Sequence, residues 1–400
     1  MSTILPVCCV VLLGFLAVSV WVSEPYMDEE FHVAQFERIQ SFVWKRAQWE
    51  WDPAITTFPG LYFLTSTIMG PWTSSLPLLR AVNAIGVNLG TWLVVKGLTG
   101  KSSVASAVVL YPLNFFFSLL YYTDSVSTFF VLLTMLLMKK RRFYLSGMIG
   151  GLSVLMRQTN IVWIFGLCLS EWIHRSFNLS IVWDLWPHIV VGIAFVVFVL
   201  QNGSIVLGHQ QYHSFSLHLA QSNYFVLTAV GACGPSEWIS MAKRFKFSPF
   251  FGLLILSAVL SAIYGTVEHP FILSDNRHYS FYFYKYFVSR YWMIRSLVIP
   301  LLVAASISAS RILNPPPSRT SNMPNAILWF CTLLCIVPTP LIEFRYFNIP
   351  ISLLICRSGL ADSSLKGIQY FFLLVNVVTV YVFVFRPFRG VDGALARFMY

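Results

Sequence analysis

Apolar runs recur along nearly the whole chain, at residues 4–22, 60–72, 79–95, 104–122, 126–138, 143–172, 183–200, 215–232, 250–265, 291–308, 326–342, 347–355 and 368–385. None shows the alternating polar and apolar positions of a barrel strand, so the pattern predicts helices. Several runs fall short of the about 20 residues that a straight span needs. The expectation is therefore an all-α polytopic membrane protein of about a dozen spans in one domain covering residues 1–400. Residues 4–22 form its first span, 23–58 a polar loop, 59–386 the remaining spans and loops, and 387–400 a tail. Polar positions are concentrated in the first loop, EPYMDEEFHVAQFERIQSFVWKRAQWEWDPAITTFPGLY. Of 16 acidic residues, six (Glu24, Asp28, Glu29, Glu30, Glu37 and Glu50) lie there, followed by Asp52. Tyr26, Phe31, Phe36, Phe42, Trp44, Trp49 and Trp51 are interleaved with them, a mixture suited to a border between water and lipid.

Charge adds sidedness. Acids follow the first span, whereas Lys139, Lys140, Arg141 and Arg142 follow a later one. Basic clusters stay in the cytosol, so the first loop is expected to be non-cytosolic and the tetrabasic one cytosolic. If every run between 60 and 138 crossed once, both loops would share a side. One run must not span, and the short, proline-flanked run at 60–72 is the candidate. The N-terminal run lacks a basic leader and is followed at once by acids, so it reads as a retained first span.

Composition agrees with the bilayer. With 57% hydrophobic and 11% charged residues and a mean hydropathy of +0.69, the chain has too little polar surface for a water-soluble globule. Its net charge of +11 sits in short clusters between apolar runs. That pattern sets orientation and gives no nucleic-acid patch. The seven cysteines lie mostly inside apolar runs, with no metal-ligand spacing. The stretch NPPPSRTSNMP is a connector, and Asn178 and Asn202 begin glycosylation sequons.

Candidate chemistry starts with PYMDEEFHVAQ. A helix from Tyr26 puts Asp28, His32 and Gln35 on one face, with Glu29 about a quarter turn away. The alternative is a first turn enriched in acids that suit the helix dipole. In WDPAITTFPGLY, Asp52 precedes Pro53 in a rigid turn. Arg157 and Gln158 of MRQTN either lie at membrane depth, where a charge needs a partner, or mark a helix end near the interface. Asp124 raises the same alternatives. His209, His213, His218 and Gln221 form a polar cluster whose spacing disfavours a metal. Arg277 in DNRHY and Arg345 in EFRY each stand beside an acid, as a local ion pair or as a phosphate fork.

These blocks, together with the spacing of Arg80 and Asn83 and the ending ARFMY, resemble the endoplasmic-reticulum glucosyltransferases that move glucose from dolichyl phosphate glucose onto the lipid-linked N-glycan precursor in an alpha-1,2 bond. The resemblance runs from the first loop to the last residues. It departs at His209 and Gln210, where the family has an acidic-basic pair after the glycine, and at Phe344, where it tends to have proline. It implies a helical bundle of the GT-C type in the endoplasmic-reticulum membrane, with a luminal first loop carrying amphipathic helices and the catalytic acid. The implied partners are dolichyl phosphate glucose, a diglucosylated lipid-linked oligosaccharide acceptor and the bilayer. The implied chemistry is inversion by a single displacement, with no cofactor and no metal. On this reading Asp28 is the base, with Glu29 as its substitute. His32, Gln35, Asp52, Gln158, His213 and His218 contact substrate, and Arg277, Arg345 and Arg157, in falling order, meet the donor phosphate. One rival is a related lipid-sugar glycosyltransferase with a different sugar or linkage; a transporter or channel is the rival from another class, since charged residues and broken helices also line conduction paths. It predicts an inverted repeat, which the sequence does not show, and no acidic aromatic first loop.

Overall fold

The computed structural model describes residues 4–72, 75–208, 210, 215–247, 249–267, 275–314, 323–390, 393 and 395–400. Regular structure among them is almost wholly helical, and the single sheet is an antiparallel pair, β1 (Phe388–Arg389) on β2 (Leu395–Ala396). Among the described residues four helices are long and apolar enough to cross a bilayer: Ile4–Trp21, Leu76–Thr99, Ile181–Asn202 and Asp362–Phe385. Two bent pairs, Pro112–Ser118 with Thr123–Lys139 and Tyr279–Ser289 with Ile294–Ala309, raise the number to six. Gly60–Met69, Phe143–Met156, Pro249–Tyr264 and Asn325–Ile336 are shorter apolar helices. Large apolar side chains such as Leu13, Trp183, Ile193, Leu200 and Leu374 are exposed on the long helices, as lipid requires of a membrane-facing surface. The chain is an all-α polytopic membrane protein. Its described residues fall into two compact units, one built from Met1–Val109, Asn114–His213 and Arg319–Ile327, the other from Leu110–Leu113, Ser214–Ser318 and Leu328–Tyr400.

In the first unit, α1 (Ile4–Trp21) leads into α2 (Asp28–Lys45), whose first turn holds Asp28, Glu29 and Glu30. α3 (Gly60–Met69) lies along α2. Trp44 Nε1 donates to the Ser66 carbonyl at 3.1 Å and Gln40 Nε2 to the Gly70 carbonyl at 2.7 Å. Ten residues rise about 15 Å, half of the about 30 Å hydrocarbon thickness, so α3 is too short to cross as a straight helix. It carries Gly60 at its start because a Cβ there would stand 2.5 Å from the Leu155 carbonyl oxygen.

The remaining helices of this unit share two ends. At one, Lys139 Nζ donates to the Leu98 carbonyl at 2.6 Å, Arg141 pairs with Glu171, and Arg175 links Glu171 (3.1 Å) to Asp184 (2.6 Å). At the other lie α2, the bend at residues 119–122, Asp124, Arg157 and residues 203–208. With α3 removed from the count, the acidic loop and the tetrabasic cluster come out at opposite ends, as their charges require. Two runs differ from expectation. The run at 104–122 is broken at Tyr111 before Pro112, and the run at 143–172 is broken at Arg157, which caps Phe143–Met156 in an extended conformation (φ −147°, ψ 128°). Proline cannot donate to the preceding turn, and Arg157 leaves the helix to reach a partner.

In the second unit, His218 and Gln221 at the start of Ala220–Gly231 hold residues 337–341. The His218 amide donates to the Val337 carbonyl at 2.9 Å, and His218 Nδ1 lies 3.2 Å from the Pro340 carbonyl. Gln221 Nε2 donates to the carbonyls of Thr339 (2.8 Å) and Leu341 (2.9 Å).

Candidate active site

The first turn of α2 divides its acids between two environments. Glu29 is fully buried. Its Oε1 accepts from Arg80 Nε at 2.8 Å and from the Tyr121 amide at 2.7 Å. Its Oε2 accepts from Arg80 Nη2 at 2.6 Å and from the Tyr26 amide at 3.2 Å. Arg80, equally buried, also donates to the carbonyls of Val22 (2.6 Å) and Glu24 (3.2 Å). A bidentate fork between a guanidinium and a carboxylate, with further bonds from the guanidinium to two carbonyls and from two amides to the carboxylate, is the arrangement in which a buried ion pair holds its geometry. One turn on, Asn83 Nδ2 donates to the carbonyls of Leu120 (2.9 Å) and Tyr122 (2.8 Å). Residues 80, 83 and 29 thus clamp the bend at 119–122 to the root of α2. The helix then loosens into a π-helical stretch, Val82–Val87, the kind of irregularity found beside functional sites.

Asp28 is different. Its backbone amide donates to the Tyr122 hydroxyl at 3.0 Å, which fixes where the residue sits, while its side chain is partly exposed. Met27 before it has φ 59°, a left-handed turn that admits the chain to α2. His32 and Gln35 share the inward face of α2 with it. His32 Nδ1 is 2.7 Å from the Tyr62 hydroxyl, and its ring meets Tyr122 edge-on at 5.5 Å. The charges of both Asp28 and Asp52 act on the Tyr62 phenol, so the two carboxylates and the His32–Tyr62 pair form one neighbourhood. Gln35 is fully buried and uses both ends of its amide on the loop, donating to the Glu50 carbonyl and accepting from the Asp52 amide, each at 2.9 Å. Asp52 accepts from the Ala54 amide (2.9 Å) in a turn and lies 3.4 Å from Arg38.

The same end of the unit holds the break in MRQTN. Arg157 pairs with buried Asp124, so the charge that the sequence places near membrane depth has its partner. Gln158 Nε2 donates to the Thr56 carbonyl at 2.7 Å. Residues 203–208 dock on the same turn, with the Leu207 amide on the Thr56 carbonyl at 3.2 Å. Gly208 packs so close that a Cβ would meet the Pro53 oxygen at 2.0 Å. His213 lies outside the described residues, as do His209 and residues 269–274 of the HPFILSDNRHY block.

The second unit holds the other predicted residues. Arg277 forks onto Asp275, with Nε at 2.8 Å from Oδ1 and Nη2 at 2.9 Å from Oδ2. Burial opposes ionisation of Asp275, but Arg277 and the nearby His278 outweigh it and hold the carboxyl below its ordinary value. Arg345 pairs with Glu343. Of these two arginines, Arg277 is the more exposed, at 41% against 23%. An apolar cavity of about 210 Å³ lies in this unit, lined by Tyr224, Leu227, Thr228, Phe283, Tyr284 and Phe344 among others. His218 is sealed in, and burial pushes its imidazole down to about 4 against its backbone hydrogen bonds. Among the described residues no three His, Cys, Asp or Glu side chains gather as a metal site.

The structure gathers Asp28, His32, Gln35, Asp52 and Gln158 in one turn-rich region of the first unit. Sequence reasoning did not single out Tyr62 and Tyr122, whose hydroxyls join His32 and Asp28, or the role of Arg80 as the partner of Glu29. An arginine three residues before an asparagine inside an apolar helix was the available signal.

The DIE2/ALG10 family model matches residues 22–179 and 168–356. Similar proteins include those named "Dol-P-Glc:Glc(2)Man(9)GlcNAc(2)-PP-Dol alpha-1,2-glucosyltransferase" in three organisms. The Arabidopsis thaliana protein is 30% identical over 95% of this chain and 95% of its own length. The Homo sapiens protein is 29% identical over 96% and 95%, and the Drosophila melanogaster protein 30% over 92% and 91%. No solved structure matches the chain.

Proposed function

The chain belongs to the DIE2/ALG10 family, and on that premise we propose that it transfers glucose from dolichyl phosphate glucose to the terminal glucose of a diglucosylated lipid-linked oligosaccharide, forming an alpha-1,2 linkage. Its setting is the endoplasmic-reticulum membrane, with the active site on the luminal face. The names of its relatives support the substrates. The opposite placement of α2 and the tetrabasic cluster supports the sidedness.

The reaction is a single displacement with inversion. Asp28 accepts the proton of the acceptor's 2-hydroxyl as that oxygen bonds to the anomeric carbon. The bond from that carbon to the phosphate oxygen breaks, and dolichyl phosphate leaves with the electron pair. The observation that carries this reading is the contrast within one helical turn. Glu29 has its oxygens filled by four donors in a sealed interior, whereas Asp28 beside it is partly exposed and anchored by its backbone. A carboxylate already saturated with donors is a poor base. One that can reach a substrate hydroxyl is a better one. His32 with Tyr62 and the Asp52 turn orient the acceptor sugar, and Gln35 holds that turn in place. Arg277, more exposed than Arg345, is the residue we assign to the donor phosphate.

The test is glucose transfer by purified protein with dolichyl phosphate glucose and a diglucosylated lipid-linked acceptor, comparing the parent with Asp28→Asn. The expected result is a loss of about 10²–10⁴-fold in turnover at an unchanged melting temperature. Full turnover by Asp28→Asn removes Asp28 as the base. A parent that transfers no glucose overturns the reading as a whole.

A further inference from the structure

The last residues of the chain are bonded to the loop that carries Arg277. The β1–β2 pair turns the chain back after helix Asp362–Phe385. Arg397 Nη1 then donates to the carbonyls of Phe383 (2.9 Å) and Val384 (2.8 Å), capping that helix and fixing where the final residues begin. From there the chain runs parallel to the loop. The Met399 amide donates to the Arg277 carbonyl at 2.9 Å, and the Tyr279 amide donates to the Met399 carbonyl at 3.0 Å. His278 Nδ1 is 2.7 Å from the Tyr400 carbonyl. Phe398 stacks on Phe388 at 4.4 Å and on Tyr279 at 6.3 Å. The Tyr400 hydroxyl shares a hydrogen bond of 2.9 Å with Thr379 of the long helix.

We infer that residues 397–400 are a strap that positions Arg277 for the donor phosphate. The inference rests on the proposed role of Arg277. Within the loop itself, the fork onto Asp275 orients the guanidinium from two positions away. The strap connects the loop backbone to a long helix, through the Met399 amide at one end and the Tyr400–Thr379 contact at the other. The backbone at residues 277–279 is thus held by bonds from residues more than a hundred positions later in the chain. Met399 and Tyr400 act through Arg277 and are positioning residues.

The test compares Met399→Pro, which removes the amide that Arg277 accepts from, with the milder Tyr400→Phe and Thr379→Val. Each is assayed for KM toward dolichyl phosphate glucose, for kcat, and for the rate of trypsin cleavage after Arg277 in the full-length protein. Loss of one such hydrogen bond is expected to raise the donor KM by about tenfold in Met399→Pro and by about threefold in the other two. Turnover at saturating donor should stay within about twofold, and cleavage after Arg277 should accelerate. A strap that merely stabilised the fold would lower yield without splitting KM from kcat. Arg277→Ala separates the two ideas. If it raises the donor KM while all three strap variants keep the parent KM, the strap is refuted and the role of Arg277 stands. If Arg277→Ala leaves the donor KM unchanged, both fail.

Discussion

Glu29→Gln distinguishes a structural staple from a chemical group. The carboxylate is fully buried and meets four donors, two from Arg80 and the amides of Tyr26 and Tyr121. Glutamine keeps one acceptor oxygen and turns an NH₂ toward a guanidinium or an amide, so donor faces donor. It also leaves the Arg80 charge uncompensated in the interior. Breaking a buried pair in this way costs about 3–5 kcal/mol. For a chain of 400 residues the unfolding entropy is on the order of 0.8 kcal/mol/K, so the melting temperature should fall by about 5 °C. The assay is thermal unfolding of the detergent-solubilised protein, followed by the fluorescence of its 13 tryptophans. Arg80→Met should give a similar drop. The double variant Glu29→Leu/Arg80→Met should recover part of it, because an apolar pair leaves no charge behind. Recovery stays incomplete because the Tyr26 and Tyr121 amides and the Val22 carbonyl lose their partners. The reasoning is refuted if Glu29→Gln melts within about 1 °C of the parent yet transfers no glucose, since the carboxylate would then be doing chemistry.

Three further outcomes follow from the same geometry. In Gly208→Ala the new Cβ has no room beside the Pro53 oxygen, so the docked residues 203–208 must lift from the turn. A fall in stability of about 1–3 kcal/mol with reduced turnover is expected, and unchanged values for both would show that the contact is dispensable. Gln35→Leu strips the Glu50 carbonyl and the Asp52 amide of their partner. Trypsin should then cut after Arg46 faster than in the parent, and an equal rate would mean that the loop is held elsewhere. His218 gives a pH dependence whose sign is fixed: the unfolded chain binds its proton near 6.5, the folded one only near 4. Its contribution is therefore complete above about pH 6.5 and declines by up to about 3 kcal/mol as the pH falls toward 4. Chemical denaturation across that window should show the slope in the parent and a flatter one in His218→Gln.

Hydropathy and charge alone determined that the chain is helical, crosses a membrane repeatedly, and separates an acidic aromatic loop from the tetrabasic cluster. Each of these follows from the cost of placing a residue type in hydrocarbon, and that cost is local. Parity in the sequence singled out the 60–72 run as the candidate non-spanning segment, and it folds as a ten-residue helix, too short for a straight span. Which acid of α2 is sealed was not determined, because Asp28 and Glu29 are neighbours with the same chemistry. Only Arg80, 51 residues on, and the Tyr121 amide, 92 residues on, separate them. Gln35, read as a substrate contact, is taken up by the loop backbone. His218, read as part of a polar cluster, is closed against residues 337–341. The strap on Arg277 was equally hidden, since ARFMY and DNRHY are short segments with no shared periodicity. Partners brought together by long-range closure leave no trace in local spacing. The tertiary structure decides them because it alone fixes which buried polar group each donor must satisfy.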